Sequence, residues 1–494
     1  MKELGGLLLL FWIFFSIFWV TLGAMCRDIS CRLVRRRIGL YAVVCFMVNI
    51  IIYSIPTARA TDTDIIPIIK NTTQKQTRAD YILAKVAEAD KLCDEQKLSF
   101  ITEEGKVTRE VFKKNKKGKL IKYHIVSSVH KIVARPVYLC AFKESDQTWH
   151  VVKVFVKYPI PKTYKKFPAW VATDGYEIVH VAGSGVTRLV FDLTQNGERL
   201  TIYRYRHAWF TKDPLKTSAH EIIRTASAVN YTPYQSDFRD MGLRNIGASF
   251  FQTELTAAFN DLERQKVISR AFPEQLLSTV IHPKQPMILA AIEQTDDGQF
   301  IANPEEATNA IFIEYALNRG RAFNWSVSSA NAIGALQFTN KNGDGTYDLV
   351  VREYPNAHLN PNFENGTRDL RNVLKAAICL LDLELAHLPL VRDFYLKNPR
   401  LGGIYPVAAY NEGGGGARQL YSLISKNHVD LEQEDVVLPE KLFERIKRIV
   451  TFRKKKSHIH MKSVMNHETY LYIKKYMYVW KYLDGVPSFS LTIR

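Results

Sequence analysis

Cysteine is scarce in this chain, with six in 494 residues. Cys26, Cys31, Cys45, Cys93, Cys140 and Cys379 never fall in a CxxC or Cys/His spacing, which excludes zinc-finger and thioredoxin-like motifs. Ser, Gly and Pro dominate no long window and no segment repeats, which excludes a low-complexity chain or a solenoid. Acidic residues are few beside basic ones, 49 against 67, for a net charge of +18. Such a charge suits an anionic partner. No helix-turn-helix, zinc-finger or RNA-binding signature accompanies it, so nucleic acid is not the expected partner. A cell-wall or membrane surface fits the same charge.

Charge itself is missing from two stretches near the N-terminus, Gly5 to Ala24 and Ile38 to Ile55. Between them Arg27, Arg32, Arg35, Arg36 and Arg37 face the single acid Asp28. These lengths match a bilayer core, and the basic loop belongs on the cytoplasmic side. The expectation is an N-terminal transmembrane hairpin within residues 1–60, with the rest outside the inner membrane. Ala58-Arg59-Ala60 also fits a signal-peptide cleavage site, which would release the protein. Either way the bulk of the chain is exported. Cys93 and Cys140 would then meet an oxidising compartment, where a disulfide and two buried thiols are both open. Cys379 lies on the apolar face of a helix, as a small core residue.

Residues 61–215 read as a β-rich exported domain of no recognisable family. A helix is expected over 78–95, with Ile82, Leu83, Val86, Ala87 and Leu92 in a stripe. Short β-branched and aromatic runs follow at 125–129, 132–142, 151–158, 177–181, 187–193 and 200–205. Lys117-Gly118, Gly183-Ser184-Gly185 and Asn196-Gly197 separate them as turns. The aromatics Tyr158, Trp170, Tyr176, Tyr203, Tyr205 and Trp209 fit ordinary packing better than sugar stacking. Residues 216–283 read as a helical connector, with Phe250, Leu255, Ala258 and Leu262 on one helix.

The most informative residues lie in 284–494. Met287-Ile288-Leu289-Ala290-Ala291-Ile292-Glu293-Gln294 is an apolar helix closed by a carboxylate, with Gly298 as a stop. Burial and the negative end of the helix dipole both raise a carboxyl pKa there, as a general acid requires. Downstream come Ser328-Ser329-Ala330-Asn331-Ala332-Ile333-Gly334-Ala335-Leu336-Gln337, then Ala408-Ala409-Tyr410-Asn411-Glu412-Gly413-Gly414-Gly415-Gly416, then Glu468-Thr469-Tyr470-Leu471-Tyr472. Over residues 284–482 this order resembles the lytic transglycosylases, with their S-x-x-G-A-x-G-L-M-Q, A-A-Y-N-x-G-x-G and E-T-x-x-Y segments.

The resemblance implies a C-terminal all-α, lysozyme-like domain in an α+β multidomain protein of the periplasm. It also implies peptidoglycan glycan strands as substrate and no metal or other cofactor. Glu293 is the implied catalytic acid, and Ser328, Ser329, Gln337, Tyr410, Asn411 and Tyr472 the implied substrate-side residues. Tyr410 would sit beside the acid and orient it. The chain departs from the pattern in three places. Gln294 replaces the serine that follows the acid, and Asn331 replaces a glycine. A helix over 303–319 also lengthens the interval between Glu293 and Gln337, which leaves Glu314 as a second candidate acid. A water-using lysozyme-type hydrolase and a non-catalytic wall-binding protein remain alternatives. Asn340–Thr346 has a calcium-loop look, but Val351 stands where a bidentate glutamate is needed. Four Asn-x-Ser/Thr triplets are chance matches in the bacterial chain that the resemblance implies.

Overall fold

Thr77 caps the first described helix: its hydroxyl accepts from the Asp80 amide while the Asp80 carboxylate accepts from the Thr77 amide. The computed structural model describes residues 77–114, 118–157, 169–182, 189–210, 226–328, 330–340, 343–426 and 467–485. The expected transmembrane hairpin is not supported. Among the described residues no helix is long and apolar enough to cross a membrane. The two uncharged runs that motivated the hairpin lie outside the described residues.

The first helix, α1 (Arg78–Asp94), buries Ala79, Ile82, Val86, Ala89 and Cys93. Among the described residues eight antiparallel strands follow: β1 (Ile101–Lys114), β2 (Leu120–Lys143), β3 (Thr148–Lys157), β4 (Ala169–Val171), β5 (Tyr176–Ala182), β6 (Val190–Gln195), β7 (Glu198–Phe210) and β8 (Ala226–Tyr231). Their path is β4-β3-β2-β7-β6-β5, with β1 added to β2 and β8 to β7. The two ends of that path, β4 and β5, are consecutive in the chain, so the sheet curls toward a barrel. Period-2 alternation divides its side chains. Val137, Leu139 and Ala141 of β2 face inward with Val152, Val154, Phe191 and Ile202. Cys140 and Phe142 face outward onto α1. Two runs at 125–129 and 132–142 are thus one long strand, and β1, β4 and β8 carry weaker sequence signals because each is paired on one edge or very short.

Cys93 of α1 and Cys140 of β2 form a disulfide, with Cα atoms 6.1 Å apart. It closes a loop of 47 residues between helix and sheet. Replacing both cysteines with alanine is expected to cost about 2–5 kcal/mol of stability. A reductant should lower the denaturation midpoint of the native protein and leave that of the double variant unchanged.

Among the described residues the main helices of the helical region are α2 (Met241–Arg264), α3 (Lys284–Ile292), α4 (Pro304–Asn318), α5 (Thr346–Glu353), α6 (Leu370–Ala386), α7 (Ile404–Lys426) and α8 (His467–Asp484). Every residue of α3 from Gln285 to Ile292 is buried. A helix that is apolar all round belongs inside a bundle, and α2, α6 and α8 surround it. The sheet and the helices are not separated by a linker. Cys140, Phe142 and Tyr203 of the sheet share one apolar cluster with Ile313, Ala316 and Leu317 of α4. The buried Arg204 of β7 adds a polar tie, donating to Asp90 of α1 (2.7 Å), Thr232 (2.8 Å) and Asn318 of α4 (3.0 Å).

Candidate active site

Glu293 occupies the residue that ends α3, with its amide still bonded to the Leu289 carbonyl. The residue is half-buried within the bundle. Burial raises its pKa from the ordinary 4.5 to about 7. The hydroxyl of Tyr472 on α8 opposes this by donating to Oε1, and the Lys475 ammonium one turn further also opposes it. The Glu468 carboxylate pushes the other way. Lys475 is itself engaged, donating to the Thr295 carbonyl (2.6 Å) and pairing with Asp297 (2.6 Å). Burial also holds the phenols of Tyr410 and Tyr472 well above their usual range, with the Glu293 charge adding to both. The three side chains therefore form one cluster drawn from α3, α7 and α8.

The loop at 328–338 is tightly turned, and each turn has a local cause. Ser328 Oγ accepts from the amides of Ala330 (3.2 Å) and Ala332 (3.0 Å). Asn331 has φ 63°, a left-handed conformation that asparagine tolerates better than other side chains. That accounts for asparagine where the resembled pattern has glycine. Gly334 has φ 84°, and a Cβ there would lie 2.3 Å from the Thr367 carbonyl oxygen. Gln337, at φ 48°, turns its side chain back to donate to the Gly334 carbonyl (2.7 Å). Gln337 thus helps hold the loop geometry. Ser329 lies outside the described residues.

Gln294, which replaces the resembled serine, is buried and donates to the carbonyls of Gly334 and Ala335, both at 3.0 Å. It ties the end of the acid-bearing helix to the loop. Tyr410 does the same from α7, donating to the Leu336 carbonyl at 2.6 Å and meeting Phe338 edge-on. The phenol that contacts the carboxyl is therefore Tyr472, while Tyr410 anchors the loop next to it. Asn411 and Glu412 serve the α7–α8 junction. The buried Thr469 hydroxyl lies 2.9 Å from Asn411 Oδ1 and 2.7 Å from Glu412 Oε2, so its proton is shared between them. Just beyond, α7 breaks at Gly413, where φ is 75° and ψ 174°.

Glu314 stands elsewhere. It is buried on α4 between the helices and the sheet, accepting from the Tyr231 hydroxyl and from the Tyr234 amide at 3.1 Å. Its carboxyl joins β8 to the helical region. The helix that lengthens the interval after Glu293 is α4, and it packs along α2 and against the sheet.

Two further carboxyls have environments that no sequence pattern announced. Asp382 of α6 is fully buried and receives Ser269 Oγ (2.6 Å), the Arg270 amide (2.6 Å) and the Tyr354 hydroxyl (2.7 Å), a structural junction. Glu384, also on α6, is raised to about 7 by burial, against the pull of Arg418. It faces Gly414, beside the break in α7. Both positions read simply as polar interruptions of a leucine-rich helix. A shallow depression lined by Asn245, Ile246, Ser249, Phe250, Thr253 and Arg319 shares no residue with the Glu293 cluster. No protein-family model matches the chain, and neither the characterised proteins nor the solved structures contain a match to it.

Proposed function

We propose that this chain is a peptidoglycan lytic transglycosylase working in an exported, oxidising compartment. The reading is carried by Glu293, a carboxyl with a pKa of about 7 at the end of a buried helix. Tyr472 donates to it, and the 328–338 loop lies beside it through Tyr410 and Gln294. An acid with that pKa is substantially protonated at neutral pH and can donate to a leaving oxygen. The Cys93–Cys140 disulfide supports the compartment, since such bonds persist where the surroundings are oxidising.

In this reading Glu293 protonates the oxygen between N-acetylmuramic acid and N-acetylglucosamine. The resulting carboxylate, steadied by the Tyr472 hydroxyl, takes the proton of the muramic 6-hydroxyl as that oxygen attacks the anomeric carbon. The glycan leaves with a 1,6-anhydro end, and Glu293 is again protonated. The nucleophile belongs to the substrate, so the second carboxylate of a two-acid glycosidase is not needed. Mass analysis of digested peptidoglycan tests the reading. Anhydro ends are expected. Reducing ends would make the chain a water-using hydrolase, and intact strands a non-catalytic wall-binding protein.

The pH profile provides a second test. Cleavage starts from protonated Glu293, so kcat/KM should fall as pH rises through about 7. The Tyr472 hydroxyl stabilises the ionised carboxylate and lowers that pKa. Tyr472→Phe should therefore move the alkaline limb to higher pH while the retained ring preserves packing. A limb that does not move would separate Tyr472 from the acid.

A further inference from the structure

The strand pair β1–β2 extends well beyond the sheet that holds it. β3 joins β2 only from Ala134 and β7 only from Val137. From Thr102 to Lys114 and from Leu120 to Ile132 the two strands therefore pair only with each other among the described residues. At the usual rise per residue this ribbon is about 40 Å long. A lone two-stranded ribbon is marginal in water because neither face is covered. Here the residues toward the tip are exposed on both faces: Phe112 (61 %), Leu120 (59 %) and Val126 (60 %) on one, Ile121 and Tyr123 on the other. Exposed lysines share those rungs, Lys114 opposite Leu120 and Lys113 opposite Ile121, while Lys122, opposite Phe112, is paired with Glu110 of β1 (2.5 Å). Between residues 113 and 122 the sequence holds six lysines and no acid.

We propose that this ribbon is a docking arm for an anionic phospholipid surface, a contact made by a β-ribbon lying at the headgroups. Lysines beside aromatic and aliphatic side chains match that boundary: the ammonium groups reach lipid phosphates while Phe112, Leu120 and Val126, which share one face, enter the acyl margin. Nucleic acid would reward the lysines but leave the apolar side chains in water. A second copy of the arm would oppose lysine to lysine. This contact is independent of the glycan chemistry proposed above.

Amide hydrogen exchange on the full chain tests the arm directly, because protection is read at 102–114 and 120–132 whatever other segment meets lipid. Vesicles containing phosphatidylglycerol should slow exchange there, and pure phosphatidylcholine vesicles should not. Raised salt should weaken the effect. Lys113→Gln with Lys114→Gln should demand roughly thirtyfold more vesicle for equal protection, at about 1 kcal/mol per lysine. Phe112→Ser with Leu120→Ser should abolish it. These side chains lie outside the cores, so both variants should melt as the native protein does. Unchanged exchange with anionic vesicles, undiminished protection in either variant, or equal protection by duplex DNA would overturn the proposal.

Discussion

Glu293→Gln is expected to reduce glycan cleavage by roughly a hundredfold or more, the scale of a lost general acid. The substitution is nearly isosteric. The amide oxygen can still accept from Tyr472, so the cluster of α3, α7 and α8 should keep its shape. What disappears is the transferable proton. Glu314→Gln supplies the contrast. Its carboxyl accepts from Tyr231 and the Tyr234 amide at the sheet boundary, so its loss should show in stability and leave turnover per folded molecule near native. Initial rates of muropeptide release, normalised to folded protein, distinguish the two. An active Glu293→Gln beside an inactive Glu314→Gln would reverse the assignment.

The same substitution is expected to stabilise the protein, and the sign follows from proton linkage. In the unfolded chain the Glu293 carboxyl titrates near its ordinary 4.5, and in the folded chain near 7. Between these values the native state holds a proton that the unfolded state has released. Stability therefore falls as pH rises through this window and levels off above about 7. Below about 4.5 both states are protonated and the group makes no difference. Glutamine carries no such penalty. Glu293→Gln should thus be more stable than the native protein near pH 8, by about 2 kcal/mol once partial solvent access is discounted. The gap should close near pH 4. Urea midpoints at both pH values measure it. A variant equally stable at both would mean that the folded carboxyl titrates like a free one, removing the basis for its acid role.

Much of the architecture was legible because it rests on local patterns. Period-2 runs of β-branched residues marked most of the sheet, and the 3.6-residue stripes marked α1 and α2. The unbroken apolar run Met287–Ile292 marked α3 as a helix closed by a carboxylate. The N-terminal reading used the same logic of apolar length, and it found no support in a spanning helix among the described residues. The ribbon was harder to see. β1 is rich in lysine, glutamate and threonine, and carries little of the apolar alternation by which strands are recognised.

The sequence alone established where an acid could be pKa-shifted: a carboxylate closing a buried apolar helix is raised by burial and by the helix dipole wherever that helix packs. It also marked the loop by its small residues, and the asparagine and glycine there suit the left-handed backbone that the structure shows at residues 331 and 334. Only the tertiary structure decided which groups serve that acid. Tyr472 lies 179 residues from Glu293 in the chain and Tyr410 lies 74 from Leu336, and no local pattern encodes which phenol reaches which oxygen. Similarly, Glu293 and Glu314 are both helix glutamates in sequence. One ends its helix where the bundle still admits solvent, and the other is closed in by Tyr231 and Tyr234 from a region some 80 residues earlier. Hydrogen-bond partners are set by how the elements pack, and that long-range packing is what separates a candidate acid from a structural one.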